Sequence, residues 1–222
     1  MQVHALPGLF EPVGALTHLA GSVVFACLSV GLVRRARGDA RRVLMLAVYA
    51  CACVLLLALS GAYHMLPEGG ASRELLGRLD LSAIFVLIAG TQTPVHGLFF
   101  RGLARWGSLT AIWLCAAVGA TCFTIYYDRL PPSLSVTVFL LLGWAGCGAA
   151  VAVWRRLGTR RVALLLLGGL AFTLGAVVLI LDRPVLVPGV VGPHELWHLA
   201  VLAGMGLHWA FLYRVADHAV DG

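Results

Sequence analysis

The stretch VLMLAVYACACVLLLALSGAYHML, residues 43–66, runs 24 residues without an Asp, Glu, Lys or Arg. At 1.5 Å of rise per residue a helix of this length reaches about 36 Å, enough to cross ~30 Å of hydrocarbon. It is flanked by RRARGDARR (34–42) on one side and by LPEGGASRELLGR (66–78) on the other, so the apolar run ends sharply. Its last two turns hold Ser60 and His64, spaced i, i+4 on one helix face.

The same pattern recurs along the chain. Apolar runs near 14–33, 43–66, 80–100, 106–126, 133–153, 162–181 and 194–213 alternate with the breakers RLPP (129–132), RRLGTRR (155–161) and DRPVLVPGVVGP (182–193). The expectation is an all-α integral membrane protein, a seven-transmembrane helix bundle forming a single domain over 1–222. Composition agrees. The 222 residues are 60% hydrophobic and 12% charged, whereas a soluble domain carries about 25% charged residues. No positive region precedes the first run and no A-x-A site follows it, so 16–33 is read as a retained span. The six cysteines lie in apolar segments without a C-x-x-C pair and are expected to be small buried hydrophobes.

All sixteen basic residues are arginines. Without lysine there is no retinal Schiff base, which excludes a rhodopsin-type pigment. The net charge of +6 is spread over short loops, which argues against nucleic-acid binding. With seven spans, twelve arginines fall on one face and four (Arg73, Arg78, Arg129, Arg183) on the other. The positive-inside rule then places the N-terminus outside and the C-terminus in the cytoplasm.

Ionisable groups inside spans are functional by default. His64 ends the second span, Asp80 opens the third, and His194 and His198 open the seventh. In an alternating bundle those ends share one membrane face, the non-cytoplasmic one. His194 and His198 are i, i+4 and project from one helix face. Three neutral imidazoles with a water in the fourth position favour Zn2+ over iron or another divalent ion. The metal ligands are therefore read as His64, His194 and His198. Asp80 is read as the catalytic carboxylate that handles the water, with Ser60 beside it as a hydrogen-bonding catalytic group.

The HELWH run (194–198) also satisfies H-E-x-x-H, the zinc-protease pattern with Glu195 as base. That reading lacks a third ligand downstream. His208 lies about 15 Å deeper along the helix, and Asp217 would lie nearly 30 Å away. His18 sits within the first span behind Glu11. His4, His96 and His218 are read as loop or interfacial residues. Thr91, Gln92, Thr93 and Pro94 interrupt the third span, either as a kink re-satisfied by side chains or as a polar cavity lining.

On these residues the chain resembles the hemolysin III family, the bacterial branch of the progestin and adiponectin receptor family. EPVGALTH (11–18) is similar to the family's Glu-x-x-Asn-x-x-x-His opening, and LSGAYH (59–64) to its Ser-x-x-x-His. RLDLSAIFVLIAGTQTP (78–94) is similar to its third-span signature, and HELWHLAVLAGMGLH (194–208) to its seventh-span histidines. The resemblance covers nearly the whole chain. It implies seven helices in a bacterial inner or plasma membrane, zinc on His64, His194 and His198, and Asp80 on the zinc-associated water. The site would be related to that of alkaline ceramidases, with a membrane lipid amide as substrate or ligand. The departures are Gly14, where the family carries Asn, and Glu195, where a small or apolar residue is expected. The eukaryotic relatives are similar to N-inside proteins, against the arginine count here. Three functions compete: a zinc-dependent hydrolase of lipid-like amides or esters, a zinc-stabilised membrane sensor or homeostasis protein without turnover, and a pore-forming hemolysin.

Overall fold

The computed structural model describes residues 8–217, so His4 and His218 lie outside the described residues. Among the described residues eight helices follow one another: α1 (Pro12–Arg35), α2 (Ala40–Met65), α3 (Ala71–Phe99), α4 (Gly102–Ile125), α5 (Pro132–Trp144), α6 (Cys147–Leu157), α7 (Thr159–Leu181) and α8 (Pro193–Val215). Pro12, Pro132 and Pro193 stand in first turns, where the missing N–H has no intrahelical partner to lose. Asp39 caps α2 by accepting the Arg42 N–H at 3.1 Å. Gly158, at φ +78°, separates α6 from α7.

By length and composition six segments among the described residues can cross a membrane: α1, α2, α4, α5 with α6, α7 and α8. The whole is a membrane all-α protein. α3 is also 29 residues long, but its first ten carry Arg73, Glu74, Arg78 and Asp80. The third helix begins at Ala71, nine residues before the expected start at 80. Glu74 and Arg78, one turn apart, pair at 2.7 Å and extend the helix into the polar stretch. Asp80 therefore sits in the third turn and does not open the helix.

The fifth apolar run is one candidate span, Pro132–Leu157, made of two helical pieces, α5 and α6. It breaks at Ala145–Gly146 inside the glycine-rich GWAGCG (143–148). Gln92 of α3 donates its amide to the Leu142 carbonyl at 3.2 Å, next to the break. α3 itself runs unbroken through Pro94, and the Thr93 hydroxyl donates to Ala89 O at 2.7 Å. Thr91 and Gln92 line the internal cavity, so the polar-lining reading of this stretch has a structural basis. The cysteines differ from expectation: only Cys53 is buried and the other five are exposed, Cys147 towards the cavity, and all behave as apolar groups.

α2 is the hub. Its buried stripe Tyr49, Cys53, Leu56, Leu57, Ser60 and His64 follows helical spacing and faces α1 and α3. Close approach is set by small residues: a Cβ on Gly90 would lie 2.6 Å from the Ala52 Cβ, and one on Gly61 2.9 Å from the Leu19 amide nitrogen. α8 packs on α1 and α7, closing the bundle around α2, whereas α5 and α6 touch their neighbours more sparsely.

Candidate metal centre

Helix ends bring the histidines together. His64 is in the last turn of α2, and His194 and His198 are in the first turns of α8. The Nε2 atoms of His194 and His198 are 3.0 Å apart, and those of His194 and His64 3.4 Å. All three ligand atoms lie within 4.8 Å of one another. Tetrahedral zinc with Zn–N near ~2.0–2.1 Å needs donors roughly 3.3 Å apart, so the three imidazoles fit a metal ion. His64 and His198 are 1% and 2% exposed, whereas His194 is open to the cavity although protein surrounds it.

The second face of each ring differs. His64 Nδ1 donates to Glu11 Oε2 at 2.5 Å, which leaves Nε2 with its lone pair facing the other two rings. The other Glu11 oxygen accepts from Arg73. Burial raises the Glu11 carboxyl, but the hydrogen bonds from His64 and Arg73 and the Arg73 charge outweigh it and hold the group below the usual carboxylate range. His18 stacks on His198 with ring centroids 4.0 Å apart, and its Nε2 meets His198 O at 3.3 Å. Among the described residues His198 Nδ1 is buried without a partner. Gly14 leaves that spot bare, since a Cβ there would lie 3.4 Å from the same nitrogen.

Asp80 and Ser60 stand in the cavity wall with His18, His194 and His198. The Ser60 hydroxyl is a hydrogen-bonding neighbour of the half-buried Asp80 carboxylate. The cavity holds about 1000 Å³ between α2, α3, the α5–α6 segment, α7 and α8, at the upper end of what small-ligand sites occupy, ~1,000 Å³. Most of its wall is apolar, with Leu56, Ile84, Ile88, Phe139 and Val201 among its members. His208 lies at its far end, and its Nε2–H donates to Leu165 O at 3.0 Å, well away from the metal ligands.

Glu195 does not point at the imidazole cluster. It is 3% exposed, and its Oε2 accepts the Gly192 N–H at 2.9 Å, closing the N-terminus of its own helix. Glu195→Gln keeps an acceptor oxygen and is expected to leave metal content and stability unchanged. Glu195→Ala should lower stability by about 1 kcal/mol, the worth of one capping bond, again with full metal content. Thermal melts and metal analysis of both variants check this. Metal loss in Glu195→Gln would return Glu195 to the metal chemistry.

Sequence reasoning missed Glu11 and Arg73 as members of the site. Glu11 carried a signal, an acidic residue just before an apolar span. Arg73 carried none, being one more arginine in a polar stretch.

The family model described as "Haemolysin-III related" matches residues 9–209. The chain is 30% identical over 199 residues to "Hemolysin-3" of Bacillus cereus, covering 89% of this chain and 87% of that protein. It is 28% identical over 196 residues to "Hemolysin-3 homolog" of Bacillus subtilis (strain 168), covering 87% and 88%.

Proposed function

Because the chain belongs to the haemolysin-III related family, we propose that it is a zinc-dependent intramembrane hydrolase of lipid-like amide or ester bonds. One observation carries this reading: two of the three convergent imidazoles, His194 and His198, stand in the wall of a large apolar cavity that also holds Asp80 and Ser60. A structural metal needs no such cavity, and an aqueous pore would not be walled by leucine, isoleucine and phenylalanine.

His64, His194 and His198 would hold the ion. When bound, zinc supplies Lewis acidity that polarises a carbonyl and acidifies water. The residues do the rest. Asp80 accepts the proton of the attacking water and returns it to the leaving group. The Ser60 hydroxyl orients the Asp80 carboxylate. The apolar wall takes the acyl chain, excludes bulk water and holds the scissile carbonyl at the imidazole end.

In this reading α3 crosses the membrane with the other spans, which its packing between α2 and α4 supports. The chain then has seven spans in a bacterial plasma membrane, with the site at the outer face. Pairing of Arg73 with Glu11 and of Arg78 with Asp128 leaves that end poor in net positive charge. Arg35, Arg41, Arg42 and Arg156 gather at the other end.

A sensor without turnover has one observation in its favour: the ligands come from α2 and α8, so the ion would tie two helices. Metal analysis of the purified protein, followed by incubation with a panel of lipid amides and esters and mass spectrometry for released fatty acid, separates the two. Zinc near one per chain with fatty-acid release supports the hydrolase. Zinc-dependent melting with no release from any member of the panel supports the sensor.

A further inference from the structure

We propose that Arg73 is a positioning residue of the metal centre, acting through Glu11 to set the His64 imidazole. The inference rests on the reading of His64, His194 and His198 as metal ligands.

The geometry begins with the chain before α1. Phe10 N–H donates to Met65 O at 3.2 Å, and Glu11 N–H donates to His64 O at 3.0 Å. Those carbonyls end α2 and have no partner within their own helix. The pairing lays residues 10–11 against the end of α2 and brings the Glu11 carboxylate to His64 Nδ1. Arg73, from the first turn of α3, closes the arrangement. Its guanidinium donates to Glu11 and to the Tyr63 and Leu66 carbonyls. It also lies over the rings of Tyr63 and Phe10, at 4.5 and 5.1 Å from their centroids.

One side chain therefore ties the pre-α1 segment, the end of α2 and the start of α3, while only 9% exposed. Lysine cannot reproduce this. A planar fork can serve a carboxylate and two carbonyls while lying over two rings, whereas an ammonium offers a single point charge. Without the guanidinium, the Glu11 carboxylate keeps His64 as its one remaining side-chain partner and is free to turn from it. His64 then loses the contact that aims Nε2 at the other two ligands.

The test is zinc affinity of the full chain in detergent, measured by chelator competition, alongside the melting temperature of the zinc-free protein. Arg73→Gln should weaken zinc binding by about 10–100-fold, the range for partners behind a metal ligand. Arg73→Lys should fall between it and the wild type. Glu11→Gln should match Arg73→Gln, and the double variant should be no worse than either single one, because both break the same path. Unchanged affinity in Arg73→Gln with only a lower melting temperature, or additive losses in the double variant, overturns the inference. If Arg73→Gln does not fold, Arg73→Lys with Glu11→Gln decides on the same readout. A wild-type chain that binds no zinc removes the underlying metal reading and this inference with it. A wild type that binds tightly beside an unaffected Arg73→Gln removes this inference alone.

Discussion

Asp80→Asn is expected to bind zinc like the wild type and to lose fatty-acid release by about 10²–10⁴-fold, the usual worth of a positioned general base. The asparagine is isosteric, so it preserves the cavity wall and still accepts from the Ser60 hydroxyl. It cannot take the proton of the attacking water. Asp80 is outside the group of three close metal-competent residues, so zinc content should not move. Ser60→Ala should lower release less, because Ser60 acts by orienting Asp80. Release by Asp80→Asn within threefold of wild type sinks the assignment of Asp80 as the base. Loss of zinc in the same variant makes Asp80 a metal ligand instead.

His64→Ala is expected to weaken zinc binding by more than ~10²-fold, since removing a ligand must exceed the 10–100-fold cost of losing a partner behind one. Release should fall to background at the same time. The substitution also leaves Glu11 without its imidazole partner, so part of any stability loss belongs to that carboxylate. His198→Ala separates the two effects. It removes a ligand from the other helix and leaves the Glu11–Arg73 pair in place. Both variants should lose zinc, and the His64 variant should lose more stability. Metal analysis, chelator competition and melts with and without zinc provide the readouts. Full release by zinc-free His64→Ala would end the metal-dependent mechanism.

Much of the fold was legible because the membrane simplifies the code. Long apolar runs must become helices in lipid, where every backbone polar group needs an internal partner. The depth of each polar residue within its run then places it at one face or the other. His64, His194 and His198 were found in this way, and the structure draws their nitrogens together as the depth argument required. Boundaries were less legible. Hydropathy does not mark 71–79 as part of the span, because Arg73, Glu74 and Arg78 interrupt its leucines, and a Glu74–Arg78 pair helps hold the helix there. The break at Ala145–Gly146 was also hidden, since glycine is common in packed membrane helices and only the Gln92 contact marks this run as divided.

HELWH shows where local pattern stops. Read along the chain, HELWH offers Glu195 to the metal, and only the missing downstream ligand and the depth of Asp80 argue against it. In three dimensions its oxygen is held by the Gly192 N–H of the same helix, while Asp80, over a hundred residues earlier, stands in the cavity wall with His194 and His198. The sequence by itself determined a helical membrane protein with three histidines at one face, because hydrophobic length and helical periodicity are local properties. The tertiary structure added the groups that stand behind them. Glu11 reaches His64 through backbone pairing of residues 10–11 with the end of α2, and Arg73 reaches Glu11 across a third helix. Contacts between segments distant in the chain depend on how the helices pack, and no spacing within one segment encodes them.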